Sequence, residues 1–218
     1  MDVLLERIPS RLTDHRVDLT VTPVEDNSPV PWGTHFASGL PSVLVDRFGD
    51  GLIGDPFAGS GRLAWETERP MWLNDNNRRN RKHLDPTVEF GCVVSYDNAA
   101  SLSWCVDTLI SQPPLQPDVY TWSTAEHAVI TSYRDSMAAT YRSLSRCAPR
   151  MVLVVRNWWR LGHEVRFDLE TIALAELSHW RCVDRHGWQL PATRPLSRRA
   201  GNRNTPPLVE DVLVFEQT

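Results

Sequence analysis

The sequence predicts an α/β fold, a mostly parallel seven-stranded sheet with helices packed on both faces. Three observations carry that expectation. Short apolar stretches alternate with helical segments from residue 33 onward. One of these stretches, GLIGD (51–55), runs straight into the small-residue turn PFAGSG before a helix begins. The most continuous apolar run, MVLVV (151–155), lacks polar alternation, as a strand covered on both faces requires.

Each element follows in order. Residues 1–32 show weak periodicity and end in the proline-containing TPVEDNSPVPW, which reads as an extended N-terminal arm before a single domain spanning 33–218. GLIGD is the first strand of that domain, and a helix follows over 62–68. MWLND (71–75) is the second strand with a basic helix behind it. GCVVS (91–95) is the third, trailed by a short segment over 99–104. VDTLI (106–110) is the fourth and stops at Ser-Gln-Pro-Pro. Across 125–146, Ala, Met, Tyr and Leu recur by threes and fours, the spacing of a long helix. MVLVVRN (151–157) is the fifth strand and belongs at the sheet centre. A helix over 168–177 leads to two final strands, near 180–184 and 212–215, separated by a loop rich in Arg, Pro and Gly. Parallel sheets of this kind bind ligands at the carboxyl ends of their strands. The distinctive motifs of this chain fall there.

Composition narrows the class. The 218 residues suffice for one substantial core, with 41% apolar and 23% charged residues, ordinary values for a globular protein. No apolar run approaches the length of a membrane span. The N-terminus mixes charged and apolar residues without a signal-peptide core, so the chain reads as cytoplasmic. Cys92, Cys105, Cys147 and Cys182 form no CxxC pair, which points to reduced apolar residues and no metal site. His163, His179 and His186 form no i,i+4 pair either. The net charge of −4 excludes a generally basic nucleic-acid binder, yet RRNRK (78–82) and RPLSRRAGNR (194–203) are locally basic and free of acids. Oligomeric state is left open.

The sharpest motif is DPFAGSGR (55–62). The chain turns tightly after Asp55, and Gly59 and Gly61 can adopt positive φ and leave bare backbone beside a ligand. It is neither GxGxxG nor a phosphate loop, because GK[ST] is missing and the opening acid would repel a phosphate. Asp75 ends the second strand about twenty residues later, where an acid in a nucleoside-binding α/β fold accepts ribose hydroxyls. After the fourth strand comes SQPPLQPD (111–118).

An Asp-Pro-Phe and Gly-Ser-Gly turn, followed by a Pro-Pro turn, resembles the amino-methylating DNA methyltransferases, which act on N6 of adenine or N4 of cytosine. The resemblance implies a Rossmann-like class I methyltransferase fold with an antiparallel C-terminal strand, and S-adenosylmethionine as cofactor. It covers roughly residues 34–217, with VEDVLVFEQ (209–217) similar to the family's closing strand. By this resemblance the loop with Gly59 and Gly61 holds the methionine part of the donor, Asp55 faces its cationic amino end, Phe57 packs beside the donor, and Asp75 meets the ribose. Asp97 falls beside the adenine, although the neighbouring Asn98 could serve instead. Phe36, in THFASGLPSVLV, would close over the methionine end; a plain amphipathic helix start reads the same residues equally well.

The resemblance also implies the catalytic turn. Exocyclic amines are poor nucleophiles because their lone pair is delocalised into the base. A side-chain oxygen and a backbone carbonyl at the Pro-Pro turn can accept both N–H bonds and turn that lone pair toward the methyl group. Aligned on Pro113 and Pro114, the polar position is Gln112 and the position of the base-stacking aromatic is Leu115. Both depart from the family pattern, which has Asp, Asn or Ser and then an aromatic ring. Tyr120 or Trp122 would have to supply the missing ring, whose stacking is worth about 1–3 kcal/mol. Cytosine C5 chemistry is disfavoured, because no cysteine follows a proline.

The chain has no room for the separate target-recognition domain that many relatives insert. DNA, the expected partner, would be met by the loop over 115–125 and by Arg194, Arg198, Arg199 and Arg203, with Trp158 and Trp159 as further candidates for base contact. Methylation of an amino group on RNA or protein is the enzymatic alternative. A catalytically degenerate donor-binding module is the non-enzymatic one.

Overall fold

The computed structural model describes residues 17–19, 36–37, 39–114, 125–160, 163–189 and 209–218. In chain order the elements are β1 (Val17–Leu19), α1 (Leu40–Phe48), β2 (Ile53–Asp55), α2 (Arg62–Thr67), β3 (Met71–Asn74), α3 (Arg81–Leu84), β4 (Val93–Ser95), β5 (Thr108–Ser111) and α4 (Ala125–Leu144). There follow β6 (Arg150–Val155), β7 (Trp158–Arg160), β8 (His163–Val165), α5 (Phe167–Glu176), β9 (Trp180–Gln189) and β10 (Val209–Gln217).

The main sheet runs β1-β9-β10-β6-β5-β2-β3-β4. Every pairing outside β10 is parallel, while β10 lies antiparallel between β6 and β9. The seven expected strands, the antiparallel closing strand among them, are therefore present. An eighth, β1, adds to the outer edge of β9 through Val17↔His186 to Leu19↔Trp188.

Strand β6 shows why the centre forms where it does. Met151, Leu153 and Val155 enter one core layer with Leu213 and Phe215 of β10, Met137, Tyr141 and Leu144 of α4, and Phe167 and Ile172 of α5. Val152 and Val154 enter the other with Ile53, Leu73, Leu40, Leu44 and Phe48. Alternate side chains of a strand point to opposite faces, so only an uninterrupted apolar run can serve two layers. Each fully buried Leu or Phe in these layers contributes roughly 1.5–3 kcal/mol.

Four local features differ from the sequence expectations. The last two strands extend to ten and nine residues, well beyond the apolar cores that mark them. A bulge between Val214 and Phe215 leaves Val183 unpaired and 38% exposed. The basic helix after β3 is broken into a 3-10 turn (Arg78–Asn80), the single turn α3 and a second 3-10 stretch (Asp85–Phe90), because Pro86 enters the path and Gly91 ends it at φ 81°. The two-stranded hairpin β7–β8 has no counterpart in the sequence reading. Cys92, Cys147 and Cys182 are buried free thiols, whereas Cys105 is exposed. Among the described residues no helix is long and apolar enough to cross a membrane.

Candidate functional site

The carboxyl ends of β2, β3, β4 and β5 converge on one polar cluster. Asp55 closes β2 and is completely buried. Its Oδ1 accepts the Phe57 N–H at 3.2 Å and the hydroxyl of Ser111, the last residue of β5. The Phe57 N–H also reaches Ser111 Oγ at 3.2 Å. This three-way contact fastens the turn after β2 to the turn after β5. Asp55 Oδ2 is buried with no hydrogen-bond partner. Burial pushes the Asp55 carboxyl up to about 7, opposed by the Ser111 and Phe57 hydrogen bonds and reinforced weakly by the charge of Asp75.

The turn itself depends on its glycines. Gly59 and Gly61 stand at φ 56° and 76°, a region that penalises other residues. A Cβ on Gly61 would come within 3.0 Å of Leu84 Cδ2. The Ser60 hydroxyl between them is 1% exposed and makes no hydrogen bond.

Asn74 and Asp75 hold the next two strand ends. Buried Asn74 donates to the carbonyls of Pro56 and Asp97, both at 3.2 Å, and accepts from Ser95 Oγ (2.8 Å) and Asp97 N–H (2.9 Å). The amide thus aligns β2, β3 and β4 with all of its hydrogen-bonding capacity. Asp75 accepts the Gly59 N–H at 2.8 Å on Oδ2 and the Asn77 N–H at 2.7 Å on Oδ1. The Asn80 side chain adds a third hydrogen bond, and a carboxylate has about four lone-pair sites, so capacity remains for a further donor. Burial raises the Asp75 pKa, against these hydrogen bonds. Asp97 is exposed with its main chain pinned by Asn74, and Asn98 caps the following 3-10 turn through Ala100 N–H.

At the second turn Gln112 is half-buried, and its Oε1 is buried without a partner. Pro113 is buried and Pro114 exposed. The Pro114 carbonyl accepts the Tyr133 hydroxyl of α4 at 2.8 Å. The structure therefore brings Asp55, Phe57, Gly59, Gly61, Asp75, Gln112 and the two prolines into one site, with Asp97 on its rim. Phe36 is elsewhere in character: it is 4% exposed, within the apolar layer formed by α1. Leu115, Tyr120, Trp122, Arg194, Arg198, Arg199 and Arg203 lie outside the described residues. Among the described residues no cluster of His, Cys, Asp or Glu could hold a metal ion.

Sequence reasoning missed Ser111 and Asn74. A serine inside an apolar strand at its ligand-facing end, and an asparagine directly before the predicted ribose acid, are the signals that could have found them. It also missed a buried charge network beside the site. Arg185 of β9 pairs with Asp168 at 2.5 Å and Asp211 at 3.0 Å, and Asn157, just past β6, accepts the Asp168 N–H at 3.0 Å. Arg166 adds a second contact to Asp168 at 2.8 Å. Burial would raise the Asp168 pKa, but the two guanidiniums hold it below the usual carboxylate range.

Solved structures carry the same arrangement of strands. A protein of Pyrococcus horikoshii, provisionally described as an RNA methyltransferase, superposes with a TM-score of 0.54 over 82% of each chain at 10% identity. A TehB-like SAM-dependent methyltransferase of Corynebacterium glutamicum gives 0.50 over 82% of this chain and 87% of its own, at 13% identity. This is the class I methyltransferase fold. The likeness at such identities is one of architecture, and no protein-family profile or curated protein sequence matches the chain. Within the class I fold the polar cluster occupies the carboxyl ends of the parallel strands, the face where open α/β sheets bind ligands.

Proposed function

We propose that the chain is an S-adenosylmethionine-dependent methyltransferase acting on the exocyclic amino group of adenine (N6) or cytosine (N4) in DNA. The observation that carries this reading is a set of buried oxygens without partners at two neighbouring turns: Asp55 Oδ2, Ser60 Oγ and Gln112 Oε1. Native proteins leave few such atoms, and each costs about 1–3 kcal/mol unless a ligand or an ordered water satisfies it.

The residues present fit the donor. Asp55 offers a buried acid to its cationic amino end, the glycine turn offers bare backbone, and Asp75 keeps acceptor capacity for a ribose hydroxyl. When bound, the donor supplies an electrophilic methyl group. Gln112 Oε1 is an acceptor left for one N–H bond of a target amine, and a backbone carbonyl of the Pro-Pro turn is the second. Accepting both bonds localises the nitrogen lone pair and stabilises the positive charge that develops on that nitrogen. Leu115 at the stacking position is the feature that favours a second reading, an amino group on RNA or protein.

Calorimetry with S-adenosylmethionine, followed by labelled methyl transfer to DNA, RNA and protein, tests the proposal. Micromolar binding lost in Asp55→Ala and Asp75→Ala is expected. Gln112→Ala is expected to keep binding and to lose about 100-fold or more in transfer. No binding by the intact chain overturns the donor assignment. Tight binding with no transfer to any substrate points instead to a donor-binding module.

A further inference from the structure

We propose that the segment from Arg78 to Lys82 is a phosphate-contacting surface that holds the DNA backbone beside the donor site, an inference that rests on a polynucleotide being the target. Arg78, Arg79, Arg81 and Lys82 are all exposed, and no acid occurs between Asn76 and Leu84. The four cations belong to a chain with a net charge of −4, so the remainder of the molecule carries −8. Concentrating positive charge in one short segment of an otherwise acidic protein produces a local field that bulk charge does not reveal.

Its placement gives that field a use. The segment begins three residues after Asp75, whose carboxylate is fastened to Gly59 of the donor turn, so it is anchored to the same strand end as the site. Asn77 accepts the Arg79 N–H at 3.2 Å and fixes the start of the 3-10 turn. The Arg81 guanidinium lies 4.6 Å from the ring centroid of Tyr96, whose hydroxyl donates to Asp85. Arg78, Arg79 and Lys82 form no ion pair among the described residues. In the sheet order β3 stands two strands from β5, a separation of about 10 Å at the usual strand spacing. Each strand of a duplex carries a phosphate about every 3.4 Å of helix axis, so several flank a base presented at Gln112. Guanidiniums are suited to phosphate oxygens through their planar fork of donors.

The test is DNA binding as a function of salt, by fluorescence anisotropy, for the intact chain, Arg78→Gln/Arg79→Gln and Arg78→Lys/Arg79→Lys. Matched RNA serves as a second probe, and each variant is checked for unchanged S-adenosylmethionine affinity. Two lost phosphate contacts flatten the slope of log K against log salt by about 1.8 and weaken binding about 60-fold at 0.1 M salt, equally across sequences. The lysine variant should recover most of the slope. An unchanged slope in the glutamine variant, with intact DNA binding by the parent chain, overturns this surface and leaves the target reading standing. Failure of the parent chain to bind either nucleic acid overturns both. A flattened slope on RNA without DNA binding supports the phosphate surface and overturns the DNA target.

Discussion

Donor binding should be coupled to the ionisation of Asp55. In the free protein, burial keeps this carboxyl protonated up to about pH 7. A group whose folded pKa is raised above its ordinary 3.8 makes the free protein progressively less stable as pH climbs from about 4 to about 7, because only the folded state holds the proton there. At about 1.36 kcal/mol per pH unit, the carboxylate above pH 7 costs the fold roughly 4 kcal/mol. A bound ammonium group would offset that cost and draw the pKa back down, so binding below pH 7 must release a proton. Affinity for S-adenosylmethionine should therefore tighten about tenfold per unit between pH 5 and 7, roughly 100-fold in all. It should weaken again above about pH 8, where an α-amino group loses its charge. Calorimetry in two buffers of different ionisation enthalpy counts the released proton, with about 0.9 expected near pH 6. Asp55→Asn should bind weakly with no acid limb. An affinity that is flat from about pH 5 to 7, or no proton release at pH 6, would refute the pairing of Asp55 with a cation.

Further outcomes follow from the same contacts. Ser111→Ala removes a hydrogen bond that lowers the Asp55 pKa, so the acid limb of donor binding should move to higher pH, and Ser111→Thr should restore it; an unmoved midpoint would deny Ser111 its positioning role. Arg185→Met leaves Asp168 and Asp211 short of a buried countercharge and should cost about 3–5 kcal/mol in urea unfolding, with a loss under about 1 kcal/mol contradicting the network. Because the folded Asp168 pKa is lowered, its stabilisation is present above the unfolded value and is lost as pH falls through the folded one; the variant should lose that part of the acid dependence. Gly61→Ala combines a left-handed φ with a Cβ 3.0 Å from Leu84 and should destabilise by about 1–2 kcal/mol while raising the donor Kd.

Much of the fold could be read from apolar patterning, because a parallel sheet needs strands apolar on both sides and nothing else in the chain looks like 151–155. The tight turn after Asp55 was equally legible, since its glycines are dictated by backbone conformation rather than by partners. The broken segment over 78–90 was not, because one proline and one glycine override a helical composition only through their exact positions. Strand β1 was hidden for another reason. Its three residues VDL carry no periodicity of their own and take their conformation from the edge of β9. Ser111, Asn74 and Arg185 escaped detection because each is defined by partners 17 to 56 positions away.

On the function proposed here, the turn after β5 divides its labour between adjacent residues. Ser111 and Gln112 follow one another, and successive side chains at a strand end diverge. Ser111 is spent on Asp55 and Phe57, tying the two turns together. Gln112 is left with a buried oxygen and no protein donor. Had the serine been the amine acceptor, as its residue type in the family pattern would suggest, the fastening of the donor turn would be lost whenever substrate bound. On the proposed reading the roles are separate: the glutamine oxygen is left to meet an amine while the Ser111–Asp55 contact keeps the turn beneath it fixed. Exchanging the two residues, as Ser111→Gln/Gln112→Ser, should therefore fail on both counts: weaker donor binding by calorimetry and no transfer. Transfer retained in that double variant would show that the side chain before Pro113 is not the one that orients the amine.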